Sequence, residues 1–177
     1  MTDRIQWSID PGHSELQFKI KHLAITNVTG KFKVFQGAVV CTGDDFNEAV
    51  VEATIDADSI DTNNPQRDGH LRSPEFLATE QYPAIGFQGV LQRAGDGYVL
   101  VGELQIRDVR RPVRLTAEFA GVATGRFGDT RAGFELSGKI NRKDFGLTWN
   151  ILAEGGGFVL GEEISLNFDI QLIRQKV

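Results

Sequence analysis

The sequence predicts an all-β fold, an eight-stranded antiparallel barrel with a short helical segment between strands three and four. Three observations carry this expectation. Apolar and polar residues alternate with period two along most of the chain, the signature of strands with one dry face. Glycine is abundant, 20 of 177 residues, and it falls between the alternating runs, where tight turns need it. The strand count is even and the last strand is as long as any other, which favours closure because closure leaves no exposed edge.

Trp7 and Ile9 lead into the first strand, 14–23, where Leu16, Phe18 and Ile20 alternate with Gln17, Lys19 and Lys21. The second strand covers 28–40, and the third, 48–58, sets Val51, Ala53 and Ile55 on one face. Segment 59–82 breaks the pattern. Asn64-Pro65 and Ser73-Pro74-Glu75 each read as an N-cap followed by proline at the first helical position, predicting two short helical turns. Strands 83–93, 97–109 and 111–121 follow, the last with Val113, Leu115, Ala117 and Phe119 opposed to Arg114, Thr116 and Glu118. Phe134, Leu136 and Ile140 mark strand 130–142, and Ile164, Leu166, Phe168, Ile170 and Leu172 mark strand 160–174. Turns at Gly43-Asp44-Asp45, Gly95-Asp96-Gly97, Asp108 to Arg111 and Gly128-Asp129 join antiparallel neighbours. Gly155-Gly156-Gly157 lacks the lysine and helix of a phosphate loop and reads as a flexible connection. With no repeat or linker in sight, residues 1–177 form one domain.

Composition narrows the functions. With 41% hydrophobic and 24% charged residues the chain has the balance of an ordinary soluble domain. A net charge of −5, with no strong local basic patch expected from the sequence, speaks against a nucleic-acid partner. Cys41 is the single cysteine, which excludes an internal disulfide and a cysteine-rich zinc site. The N-terminus lacks the apolar stretch of a secretory signal and no run approaches a membrane-spanning helix. A cytoplasmic protein with no integral membrane segment is therefore expected, one that meets membrane lipids from solution.

Few residues suggest catalysis. His13, His22 and His70 lack the local spacing of a metal clip, so hydrogen-bonded structural histidines are expected, with no metal and no catalytic cofactor. Ser14 beside His13 lacks a nucleophile elbow. The polar segment Asp61 to Leu71 reads as a loop fixed against the barrel by Arg67 and Asp68, with an active-site lid as the alternative.

The inward phase of each strand yields a ligand-binding expectation. Phe18, Ile20, Phe32, Phe87, Leu104, Leu115, Phe134, Leu136 and Phe168 should line the lumen, with His22 and Arg142 at strand ends facing the polar end of a ligand. The competing reading pairs Arg142 with Asp10, Asp61 or Asp68 and makes His22 a loop cap. Small residues on the same phase, Gly89, Gly102, Gly138, Ala53, Ala57, Ala117 and Ala132, imply space for a guest or else unusually close walls. On the opposite face, a turn at Gly95-Asp96 pairs Val90 with Val101 and Gln92 with Val99. Three outward valines suggest a homodimer contact, or cover by segment 59–82.

Motifs spread along the chain resemble one known family. They are Trp7-Ser8-Ile9-Asp10 with His13-Ser14 and Phe18; His22, Gly30-Lys31-Phe32 and Phe35-Gln36-Gly37; and Ser59-Ile60-Asp61-Thr62. Arg67-Asp68-Gly69-His70-Leu71, Glu75-Phe76-Leu77, Tyr82-Pro83 and Gly102-Glu103-Leu104 continue the series, which ends with Asn141-Arg142-Lys143-Asp144-Phe145-Gly146 and Gly161-Glu162-Glu163-Ile164. In order and spacing the chain resembles the YceI-like family of bacterial polyisoprenoid-binding proteins over essentially its whole length. The resemblance implies an extended lipocalin-like barrel that holds a long isoprenoid or similar amphiphile in a hydrophobic pore, as a binding, storage or transport protein without a cofactor. The alternative function is an enzyme acting on a lipid or small hydrophobic substrate through His22 or the Asp61 to His70 loop. Two departures stand out: many members carry a signal peptide, and Asp108 occupies a turn position where the family usually has glycine.

Overall fold

The computed structural model describes residues 3–155 and 158–176. Its strands are β1 (Arg4–Ile9), β2 (Glu15–His22), β3 (Thr26–Phe32), β4 (Phe35–Thr42), β5 (Val50–Asp56), β6 (Ile60–Asp61), β7 (Ala84–Ala94), β8 (Gly97–Ile106), β9 (Val109–Thr124), β10 (Thr130–Asn141) and β11 (Leu160–Arg174), with one helix, α1 (Pro65–Arg72). Eight strands form an antiparallel ring in the order β1-β4-β5-β7-β8-β9-β10-β11. It closes where Trp7, Ser8 and Ile9 pair with Arg174, Ile173 and Leu172. The expected closed all-β barrel is the observed one.

The second expected strand is broken in the middle, and the lead-in to the first is a strand of its own. Trp7 and Ile9 belong to β1, set off from β2, the expected 14–23, by a turn over Pro11–His13, where the Asp10 carboxylate accepts from the Gly12 N–H at 3.0 Å. Proline has no N–H to give the ladder, so the strand bends here. Ser14 Oγ accepts the Gln171 N–H at 2.9 Å, which keeps the interrupted strand on β11. The second divides into β3 and β4 at Lys33-Val34. As a result β11, 15 residues long, pairs with β1 near its end and with β2 along its first part. β2 and β3, with the short β6, thus extend the wall beyond the closed ring.

Three local expectations are corrected. The turn placed at Asp108 to Arg111 lies at Arg107-Asp108, with Ile106 and Val109 as its closing pair. Arg107 takes the left-handed backbone, φ 56°, so the Asp108 substitution does not carry that strain. Only the first of the two helical turns forms. Asn64 Oδ1 accepts the Arg67 N–H at 3.1 Å and starts α1, whereas Ser73 ends it, its hydroxyl donating to the His70 carbonyl at 2.6 Å. Segment 59–82 does not cover the outward valines. Leu77 packs with Ile85 and Ile106, at the end of β7 and β8 away from the Gly95 turn. Of Gly155-Gly156-Gly157, the last two lie outside the described residues.

Candidate functional site

The inward faces enclose a cavity of about 410 Å³ that runs along the barrel. One end is closed by aromatic rings. Phe46, in the loop between β4 and β5, is 2% exposed and packs on Trp7, Phe119 and Phe134 at centroid distances of 5.3, 5.6 and 5.0 Å. Asp45 anchors that loop by accepting from Tyr98 Oη at 2.9 Å and Arg93 at 2.7 Å. The Asn47 backbone N–H, with the Tyr98 hydroxyl next, holds the Asp45 carboxyl below its usual range. Nothing in the alternation marks Phe46. Its only signal is a lone large apolar residue in a Gly-Asp-Asp-Phe-Asn-Glu connection.

All eleven expected lining residues, Phe18, Ile20, His22, Phe32, Phe87, Leu104, Leu115, Phe134, Leu136, Arg142 and Phe168, border this cavity. The reason offered for space is corrected, however. A Cβ on Gly102 would lie 2.2 Å from the Gln88 carbonyl oxygen and 2.7 Å from the Phe87 ring, and one on Gly89 would lie 2.7 Å from the same ring. At Gly138 it would meet Leu115 at 2.4 Å. The glycines are filled by their neighbours' side chains: Phe87 lies over Gly89 and Gly102, as Phe18 lies over Gly30. Ala117 and Ala132 are close-packed core residues, 0% and 1% exposed, off the cavity wall. Ala53 alone of the seven small residues borders it. The free volume runs between rows of large side chains, held apart by the diameter of an eight-stranded ring.

The other end carries the polar groups. Arg142, in the turn after β10, is 1% exposed. Its guanidinium donates to the carbonyls of Leu147 at 2.6 Å, Gly161 at 2.7 Å, Trp149 at 2.9 Å and, more weakly, Leu160 at 3.4 Å. The expected carboxylate partner is absent among the described residues. Arg142 borders the cavity as expected, but Nε and Nη1 are spent on three backbone carbonyls and Nη2 reaches the Leu160 carbonyl only at 3.4 Å, so at most one arm of the fork faces a head group. Burial pushes its pKa down, opposed by the charge of Glu162. Physically it is a clamp, tying the chain after β10 to the start of β11.

Arg67 and Asp68 fix the loop, each through Thr62. The Arg67 guanidinium donates to Thr62 Oγ1 and carbonyl oxygen at 2.7 and 2.6 Å. Asp68, 5% exposed, accepts the Thr62 hydroxyl and N–H at 2.5 and 2.9 Å. His70 pairs with Glu75 and sits edge-on to Trp149 and Phe76 at centroid distances of 4.5 and 5.1 Å. His22, His70, Thr62, Arg67 and Trp149 all border the cavity at this end. Trp149 carries no sequence signal, and Phe76 appears only within the Glu75-Phe76-Leu77 motif; neither is predicted to line the cavity because both lie outside strands and have no periodicity. His13 is elsewhere, on Asp10 at 2.7 Å, and Asp10 also accepts from Arg131 at 2.7 Å. Among the described residues no three His, Cys, Asp or Glu side chains converge as a metal site would need, and no helix is long and apolar enough to cross a membrane.

Comparison with known proteins agrees with this architecture. A UPF0312 protein of Photorhabdus laumondii is 38% identical over 168 residues, covering 94% of this chain and 84% of that one. The crystal structure of the Campylobacter jejuni YCEI protein superposes with a TM-score of 0.69 at 30% identity, covering 89% of this chain and 91% of that one. A polyisoprenoid-binding domain from Saccharophagus degradans shares the fold, with a TM-score of 0.72 at 15% identity and coverage of 96% and 98%. The model of the YceI-like domain matches residues 7–172, from the indole at the closed end to the last inward leucine of β11, so the chain belongs to the YceI-like family.

Proposed function

We propose that this protein binds a long-chain isoprenoid or similar amphiphilic lipid within its barrel, as a carrier or store rather than an enzyme. The observation that carries the reading is one cavity of about 410 Å³, walled by apolar side chains, with its polar groups gathered at one end. That volume falls in the ~300–1,000 Å³ range of small-molecule sites. Burying a hydrocarbon tail there contributes about 25 cal/mol per Å² removed from water, while a polar end group would sit beside His22, Arg67 and His70. The Saccharophagus domain, described as binding polyisoprenoid, supports the same class of ligand. An enzymatic role draws no comparable support: the hydroxyl at this end, Thr62, is committed to Asp68, and His70 is committed to Glu75.

The test is native mass spectrometry of gently purified protein, followed by titration with a long-chain polyprenyl alcohol. Wild type should carry or take up one amphiphile. Ala53→Phe and Leu104→Trp, which add bulk to the cavity wall, should keep the fold and lose it. A wild-type protein that takes up no prenyl chain, or variants that bind as well as wild type, would refute the proposal.

A further inference from the structure

One face of the molecule combines an apolar tip with a basic flank. At the tip of the β2–β3 hairpin, Leu23 and Ile25 are 41% and 77% exposed. Leu23 and the adjacent Ala24 both take left-handed backbone, φ 53° and 60°, a conformation unfavourable for residues bearing a Cβ. The loop before β11 packs beside it: the Leu23 N–H donates to the Val159 carbonyl at 2.7 Å, and the Val159 N–H to that of Ile151 at 3.0 Å. That loop presents Ile151, Leu152 and Phe158 at 51%, 72% and 57% exposure, with Leu152 and Phe158 bridged to each other. Two neighbouring chain segments thus offer five large apolar side chains to solvent in one place.

Charge identifies the occupant. From residue 16 to residue 43 the sequence has no acidic residue. Inward Phe18, Ile20 and His22 leave Lys19 and Lys21 on the outer face of β2, and the pairing of Gln17 with Lys31 puts Lys31 on the same face of β3. Among the described residues these three have no carboxylate within 4 Å, whereas Lys33 pairs with Asp61, Lys139 with Glu163 and Lys143 with Glu162. Asp61 stands opposite Lys31 in the strand register but is engaged by Lys33, and Glu154 lies in the apolar loop. A basic flank was invisible as a run because alternation spaces its lysines. In a chain of net charge −5 this patch is distinct only at short range, within a Debye length of about 8–10 Å.

We propose that this face docks on an anionic lipid bilayer, with Leu23, Ile25, Ile151, Leu152 and Phe158 entering the interface and Lys19, Lys21 and Lys31 facing the head groups. Apolar insertion and basic attraction together are the combination that interfacial binding uses. The patch is continuous with the cavity: His22 precedes Leu23 in the wall, and Trp149, Val159 and Leu160 of the loop border the same volume. Choosing a bilayer over a protein partner rests on the lipid-binding reading above, since a prenyl cargo must leave and re-enter a membrane.

Co-sedimentation with vesicles tests this, using phosphatidylcholine alone and phosphatidylcholine with about 30% phosphatidylglycerol. The full chain should bind the anionic vesicles and release at high salt. Ile25→Ser with Phe158→Ser should weaken binding at least about tenfold with the melting temperature unchanged, as exposed positions allow. Lys19→Glu with Lys21→Glu should abolish the preference for anionic vesicles. Absence of vesicle binding, binding undiminished in these variants, or a dimer that the serine variant dissociates would each overturn the proposal. Polyprenyl alcohol uptake is measured on the same samples. Uptake without vesicle binding refutes docking alone, and vesicle binding without uptake refutes the cargo reading alone.

Discussion

Replacing Arg142 by methionine removes a buried cation while keeping most of its volume, and the structure sets the cost. Three carbonyls, those of Leu147, Gly161 and Trp149, lose donors at 2.6, 2.7 and 2.9 Å, and the 3.4 Å contact to Leu160 contributes little. Hydrogen bonds to charged groups contribute about 1.5–3 kcal/mol each, so the gross loss is roughly 5–9 kcal/mol. Methionine no longer has to be stripped of water as the guanidinium was, an effect visible in the lowered pKa of Arg142, and this returns part of the loss. A net destabilisation of about 3–5 kcal/mol remains, in line with breaking other buried charged networks. For a domain of this size that corresponds to a fall in melting temperature of roughly 10–15 °C. Arg142→Lys should be intermediate, because one ammonium cannot span three carbonyls held by a planar fork. Thermal unfolding followed by circular dichroism reads the effect. If Arg142→Met melts within about 2 °C of wild type and instead loses binding of a prenyl phosphate relative to a prenyl alcohol, the clamp argument is wrong and the cation acts on ligand.

Gly102→Ala should destabilise by about 1–3 kcal/mol, the usual range for overpacking, because its Cβ would fall 2.2 Å from the Gln88 carbonyl oxygen; an unchanged urea midpoint would show that the strand yields freely there. Asp10 has its carboxyl held below the usual range, first by the hydrogen bond with His13 and then by that from Arg131. A folded pKa below the unfolded one stabilises the protein above the unfolded value, near ~3.9, and that stability is lost as pH falls through the folded value. Asp10→Asn should therefore flatten the acid side of the stability curve while lowering stability at neutral pH, and a midpoint ratio to wild type constant from about pH 3 to pH 7 would contradict this. Val90 and Val101 pair across β7 and β8 on the outer face; we propose them as a homodimer contact, which Val90→Lys with Val101→Glu should break, lowering the sedimentation coefficient to that of a monomer. An unchanged sedimentation coefficient would remove this patch as a contact.

The inward phase was legible because it is a local property. Side chains alternate along a strand, so Phe18, Ile20, Phe134 and Leu136 declare their face through the polar residues between them. The Val90–Val101 register followed from a two-residue turn at Gly95-Asp96, again a local constraint. Asn64-Pro65 announced its helix through a cap and a fixed φ. What failed were inferences of contact. Ser73-Pro74 has the same local chemistry as Asn64-Pro65 but closes α1 because its hydroxyl reaches His70 behind it. The inward glycines looked like vacancies because sequence gives volumes one at a time, whereas Phe87 turns back over Gly89 and Gly102.

The sequence by itself determined the eight-stranded closed wall, the residues facing its lumen and, through motifs in order, the family. Those depend on period, turn chemistry and composition, each set by neighbours in the chain. Tertiary structure alone decided how the ends of the barrel are built: Phe46 sealing one, and Trp149, Phe76 and Thr62 assembling the other around the expected Arg142. These residues lie in connections without a repeating period, and their positions are fixed by partners far along the chain, as Phe46 is by Phe134, 88 residues away. Whether a guanidinium is a ligand hook or a clamp likewise depends on which carbonyls the folded chain brings within 3 Å of it, and no spacing along the sequence encodes that.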